Sequence, residues 1–124
     1  MEIIYVIGRI LFAAIFISGG YKHLTKSKEM GGYAKSMRVP AGEFMTIVTG
    51  IMILAGGIMV IFDFEMFYGA LLIFLFLVPT SFMMHAFWKV ADANMKQVQQ
   101  IMFMKNMSIA GAALMLMYFT YGLH

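Results

Sequence analysis

Four long apolar runs, separated by short polar stretches, divide the chain at about residues 3–20, 44–62, 66–87 and 107–123. Each is close to the ~20 residues that a helix rising ~1.5 Å per residue needs to cross a hydrocarbon core ~30 Å thick. Inside such a core no water satisfies backbone N–H and C=O groups, so a helix that bonds them internally is the natural spanning form. A transmembrane strand would alternate polar and apolar positions, and these runs do not. The pattern predicts an all-α chain: a single integral membrane domain over residues 1–124, folded as a four-helix bundle.

The polar stretches have patterns of their own. Residues 21–43 carry Lys22, His23, Lys26, Lys28, Lys35 and Arg38, and a short interfacial helix is expected at about residues 27–37. It should end near Val39-Pro40, because the residue before a proline resists helical geometry. In the second stretch Ala91, Met95, Val98 and Met102 recur at helical spacing, with Asp92, Lys96, Gln99 and Gln100 between them. This predicts a second interfacial helix at about residues 90–102, leading into the last span. Asp63-Phe64-Glu65 is a tight acidic turn between the middle spans. Small residues suggest where helices meet: Ala14 with Ser18, Gly50 with Gly56 and Gly57, and Ser108 with Ala112. Pro79 should kink the third span, with the hydroxyls of Thr80 and Ser81 available to the carbonyls it leaves unpaired.

Composition sharpens the membrane reading. Hydrophobic residues make up 62% and charged residues 12%, against roughly 25% charged in a soluble domain. Eight of the nine Lys and Arg fall in the two longer loops, the exception being Arg9. Positive residues collect on the cytoplasmic side, so the sequence places both basic loops in the cytoplasm of a prokaryotic cell and both termini outside. The same placement accounts for the formal charge of +3 through anionic lipid headgroups, without invoking nucleic acid. An acid at Glu2, where a signal peptide carries a basic region, makes the first run a retained span. The absence of cysteine excludes disulfides, thiolate metal sites and thiol nucleophiles.

Few residues remain that carry chemistry. Arg9 lies about 9 Å into the first run, where an unpaired charge costs about 2.5–3.5 kcal/mol at the membrane centre. It is either a counter-charge for an anionic ligand, a quinone carbonyl or a partner subunit, or one half of a structural ion pair. Glu2, Asp63, Glu65 and the terminal carboxylate of His124 are the candidate partners. Lys22, His23, His85, Trp88, Lys105 and Asn106 all fall at the basic-loop ends of three spans. Such a group suits a quinone or lipid headgroup, or a proton relay, and it equally suits plain interfacial anchoring. No His pair or His–acid pair has metal-ligand spacing, and no strong cofactor motif occurs. Fifteen methionines, scattered over the last three spans and both loops, read as core and lipid contact rather than copper ligation. The six acids sit at helix ends or in loops, which leaves no catalytic set for a hydrolase or transferase.

The ordered fragments Gly8-Arg9-Ile10-Leu11-Phe12, Ser18-Gly19-Gly20-Tyr21-Lys22-His23-Leu24, Gly32-Tyr33-Ala34, Val39-Pro40, Thr49-Gly50, Gly56-Gly57 and Met84-His85-Ala86-Phe87-Trp88 resemble the DoxX family of small membrane proteins. Gln99-Gln100, Phe103, Lys105-Asn106 and Gly111 extend the likeness. The resemblance implies a four-helix membrane fold and a setting near quinol oxidase or thiosulfate:quinone oxidoreductase systems. It marks Arg9, Lys22, His85, Trp88 and Asn106 as family-type polar positions. Relatives often carry a glutamate just before the glycine pair of the second span, where this chain has Met52-Ile53-Leu54. The expected role is therefore a non-catalytic accessory or stabilising subunit of a membrane oxidoreductase complex, with lipids and other membrane subunits as partners. The alternatives are a quinone-reactive component of a thiosulfate:quinone-type enzyme, and a lipid- or small-solute-binding membrane protein.

Overall fold

In a computed structural model, which describes residues 2–121, the chain folds into five α-helices. They are α1 (Glu2–Thr25), α2 (Ser27–Ser36), α3 (Gly42–Ile61), α4 (Met66–Met84) and α5 (Ala93–Thr120), with a single tight helical turn at Phe87–Lys89 before α5. Four of the helical segments are long and apolar enough to cross a membrane. The fold is an all-α membrane bundle. Side by side the spans run α1, α3, α4, α5, and α2 lies against the start of α3.

Helix ends follow from local backbone chemistry more than from hydropathy. The first apolar run stops near Gly20, but α1 continues to Thr25 and takes Lys22 and His23 into its last turn. Nothing in that stretch interrupts the hydrogen-bond ladder, and long lysine stems reach water from a buried backbone. After α2, Val39 N–H bonds Ala34 O and Arg38 N–H bonds Lys35 O, with Arg38 at φ 66°. After α3 the pattern repeats, from Phe64 N–H to Met59 O and from Asp63 N–H to Val60 O, with Asp63 at φ 54°. Both are left-handed helix terminators of the kind usually built on glycine. Aspartate tolerates that conformation better than most residues.

The last two predicted elements are one rod. Asp92 caps α5 by accepting from Met95 N–H at 2.9 Å, and the helix then runs unbroken for 28 residues. At ~1.5 Å per residue this is about 42 Å, longer than the hydrocarbon core. The amphipathic segment is thus the extension of the fourth span. Its exposed apolar face holds Met95 and Val98, while Gln99 turns inward.

The core is assembled on glycine. A Cβ on Gly20 would lie 2.9 Å from Gly50 O and from Leu54 N, and one on Gly57 would lie 2.8 Å from Ile17 Cγ1. Across the other face of α3, a Cβ on Gly56 would lie 2.8 Å from Gly69 O. Ile53, Val60, Met66, Ala70, Ile73 and Leu77 fill the centre, joined by Ala13 and Phe16 from α1 and by Ala110 and Ala113 from α5. The small-residue faces expected on α1 and α5 are corrected by this packing. Ala14, Ser18 and Ser108 are exposed, and the contact faces are Ala13/Phe16/Gly20 and Ala110/Ala113. Small size alone does not mark a face, because lipid accepts small residues as readily as a helix does. α4 runs continuously through Pro79. Ser81 donates to Leu77 O at 2.7 Å, rather than to Leu75 O, the carbonyl whose ladder partner the proline removes.

Overpacking a tight contact costs about 1–3 kcal/mol, so Gly20→Val should lower unfolding stability in mild detergent by that amount. Gly8→Ala and Gly111→Ala, where a Cβ meets nothing within 4 Å, should change it by less than about 0.5 kcal/mol. Denaturant titration followed by circular dichroism distinguishes the two classes.

Candidate functional site

Polar residues that the sequence scatters along the spans gather at two ends of the bundle. At the acidic-turn end, Arg9 Nη1 lies 3.6 Å from Asp63 Oδ2, with Arg9 14% exposed and Asp63 49% exposed. The guanidinium sits 4.8 Å from the centroid of the Tyr5 ring, and Tyr5 Oη donates to Met66 Sδ at 3.4 Å. The terminator that ends α3 is what holds Asp63 there. Arg9 Nε is buried without a hydrogen-bond partner among the described residues. Of the partners considered for Arg9, the structure supplies Asp63, while His124 lies outside the described residues. The arrangement is an ion pair whose guanidinium is stacked on an aromatic face in the manner of a cation–π contact.

At the basic-loop end a cavity of about 630 Å³ opens among α1, α2, α3, α4 and α5. It forms because α1 and α4 both pack on α3 and leave space between themselves. Its walls are mostly apolar, with Phe16, Met45, Met52, Ile53, Phe76 and Met83 among them. The polar residues His23, Glu29, Tyr33, Thr46, Thr49, Thr80, His85 and Asn106 line it as well.

His23 is held firmly. Its Nδ1 lies 3.1 Å from Thr46 O and 3.2 Å from Thr49 Oγ1, and its ring meets Phe76 edge-on at 5.8 Å between centroids. The Thr49 hydroxyl donates to Met45 O at 2.7 Å, so its oxygen is free to accept. Gly50 makes this possible, since a Cβ there would lie 2.5 Å from His23 Cβ. His85 caps α4, and its Nδ1 is 2.7 Å from Gln99 Oε1 on α5. Beside that pair Phe82, Phe87, Trp88 and Phe103 form an aromatic cluster, with Trp88 and Phe103 centroids 5.6 Å apart. The cluster joins α4 to α5 and fixes the corner on which His85 sits.

Of the six polar residues proposed from sequence for this end, the structure brings His23, His85 and Asn106 to the cavity. Lys22 and Lys105 are exposed and do not line it, and Trp88 belongs to the aromatic cluster. Sequence reasoning did not pick out Thr46 and Thr49 in this role. Two hydroxyls three apart at the start of an apolar span were the available signal, since a buried imidazole needs acceptors. No group of three or more His, Cys, Asp or Glu capable of holding a metal occurs among the described residues.

Comparison with known proteins adds the following. The DoxX family model matches residues 4–86. The chain is 31% identical over 110 residues to the inner membrane protein YqjF of Escherichia coli (strain K12), covering 89% of this chain and 78% of that relative. No solved structure matches the chain significantly.

An ion pair with one half-exposed partner contributes modestly, so a double-mutant cycle of Arg9→Leu and Asp63→Asn should return a coupling of about 0.2–1 kcal/mol. High salt should reduce it, because the Asp63 side is open to screening. Strictly additive single mutants would mean that the contact contributes nothing to stability.

Proposed function

The chain belongs to the DoxX family of small membrane proteins, and from that premise we propose that it is a non-catalytic binding protein for an amphipathic lipid or small apolar solute. The cavity carries this reading. Its volume of about 630 Å³ falls inside the range of about 300–1,000 Å³ typical of small-molecule sites. Apolar walls with a few polar groups suit a ligand whose tail lies among the helices and whose head reaches His23, His85 and Asn106.

The accessory-subunit reading stands second. What favours it is the broad apolar exterior, including Leu11, Leu75, Leu114 and Met115, which another membrane subunit would cover as well as lipid does. The quinone-reactive reading would in addition require a redox partner for turnover. We place the chain in a prokaryotic plasma membrane, in keeping with its inner-membrane relative. The basic loops face the cytoplasm, the side on which positive loop residues collect.

Gly19 lines the cavity, and a Cβ there meets only Ile53 Cδ1 at 3.5 Å, an ordinary contact. Gly19→Phe should therefore fill the cavity without parting the helices. Protein purified from native membranes in mild detergent should carry a stoichiometric amphiphile in native mass spectrometry, and this variant should lack it. A folded wild type with no bound amphiphile, or one retained unchanged by Gly19→Phe, rules the reading out. The orientation has its own check, made simple by the lack of native cysteine. In intact cells a membrane-impermeant maleimide should label Phe64→Cys in the acidic turn and spare Lys35→Cys until the cells are opened.

A further inference from the structure

Which head the cavity takes is encoded in the hydrogens of its two imidazoles. His23 Nδ1 faces two oxygens, Thr46 O at 3.1 Å and Thr49 Oγ1 at 3.2 Å. A backbone carbonyl only accepts. The Thr49 hydroxyl proton is already committed to Met45 O at 2.7 Å, so this oxygen also accepts. Nδ1 must then carry the hydrogen, and in the neutral ring the lone pair lies on Nε2. His85 has the same arrangement from a different source. Its Nδ1 is 2.7 Å from the carboxamide oxygen of Gln99, again an acceptor, which leaves the lone pair on Nε2.

Neither Nε2 has a partner among the described residues. Neither is sealed off, because the buried unpartnered side-chain nitrogen or oxygen found among those residues is Arg9 Nε. Both histidines line the one cavity, and Asn106 joins them with a carboxamide that makes no hydrogen bond within the described chain. The cavity thus offers two fixed acceptors and one amide, beside the hydroxyls of Tyr33 and Thr80, which can donate or accept. A group in an apolar pocket that finds no complementary partner loses its hydration without return, so the head that fits must bring donors.

Charge narrows the class further. No Lys or Arg lines the cavity, and the charged residue that does is Glu29, an exposed acid on α2. A carboxylate or phosphate head would meet imidazole lone pairs and a negative charge with no cation to receive it. Resting on the binding function proposed above, we infer that the cavity selects amphiphiles with an uncharged hydroxyl head, a phenol or an alcohol, over acceptor-only ethers and carbonyls and over anionic lipids. The single hydroxyl hydrogen goes to one of the two ring acceptors, His23 Nε2 or His85 Nε2. Asn106 satisfies the hydroxyl oxygen through its N–H.

The test uses the full chain in nanodiscs of zwitterionic lipid with para-dodecylphenol, dodecanol, para-dodecylanisole, dodecanoate and dodecylammonium as probes. The phenol and its methyl ether have the same tail and ring and differ in the donor. One hydrogen bond should make the phenol bind about fivefold tighter than the anisole. Dodecanol binding alongside the phenol would identify an alcohol lipid as an admissible source, and phenol binding alone an aromatic hydroxyl; either supports the inference. In imidazole-nitrogen NMR of the unaltered protein, the Nε2 signal of His23 or of His85 should shift on adding the phenol, and both should stay in place with the anisole. That readout needs no variant to fold. His23→Ala or His85→Ala, whichever ring receives the hydrogen, should shrink the phenol-to-anisole preference. Equal binding of phenol and anisole, or tighter binding of dodecanoate, overturns the donor-head inference; tighter binding of dodecylammonium overturns its restriction to uncharged heads; each leaves the binding function intact. Failure of all the probes to bind overturns both.

Discussion

Close backbone contact across α3 is the constraint on which the rest of this structure depends. Lipid tails are as apolar as any leucine, so nothing pushes these helices together as water would. What remains is dispersion between surfaces that fit, and dispersion decays steeply with distance. Gly20 meeting Gly50 and Leu54, Gly57 meeting Ile17 and Gly56 meeting Gly69 bring three backbones within direct contact. Both faces of α3 are used in this way, so α1 and α4 are each fixed to α3 rather than to one another.

The cavity follows from that arrangement. Two helices anchored on opposite sides of a third leave space wherever their own side chains do not reach across it. Toward the acidic-turn end the gap is closed by core residues that include Ala13, Val60, Met66 and Ala70. The Arg9–Asp63 contact lies at that end as well. At the basic-loop end α1 presents Gly19 and His23, α4 presents Pro79 and Thr80, and space opens between them. α2 closes the region from the loop side through its contact with α3, where Gly31 faces the backbone of Glu43. The same glycine that lets α1 approach α3 at Gly50 also gives the His23 ring its seat against Thr46 and Thr49. Packing and site are one set of contacts.

Much of the architecture was legible because bilayer thickness imposes a length on apolar runs, and each run matched it. The acidic turn and the short helix before Val39-Pro40 were readable for a similarly local reason, proline and turn chemistry. What hydropathy does not encode is where a helix stops. α1 runs five residues past Gly20, to Thr25, because lysine and histidine are adequate helix formers whatever their polarity. Rotation about the helix axis was equally hidden: Ala13 rather than Ala14 faces α3. A helix with apolar residues on all sides has no moment to orient it. In the candidate site, His23, His85 and Asn106 could be grouped from span parity. Their separation from Lys22, Lys105 and Trp88 could not, since that depends on the same rotation.

The residues just before the glycine pair bear on what the cavity does. The family resemblance implies a glutamate at this level of the second span, where this chain reads Met52-Ile53-Leu54. Met52 and Ile53 both line the cavity, so a carboxylate in this stretch would face into it or border it. Such a group, held in an apolar wall, would exchange protons with a bound ligand or pair with a cationic head. A thioether and a branched alkyl group do neither. They leave the polar chemistry to the two histidines and the asparagine near the loop end, and turn the deeper part of the cavity into a surface for a hydrocarbon tail. That division of the lining, apolar in the depth and polar near the loops, is the one the proposed binding of an amphiphile by its head calls for.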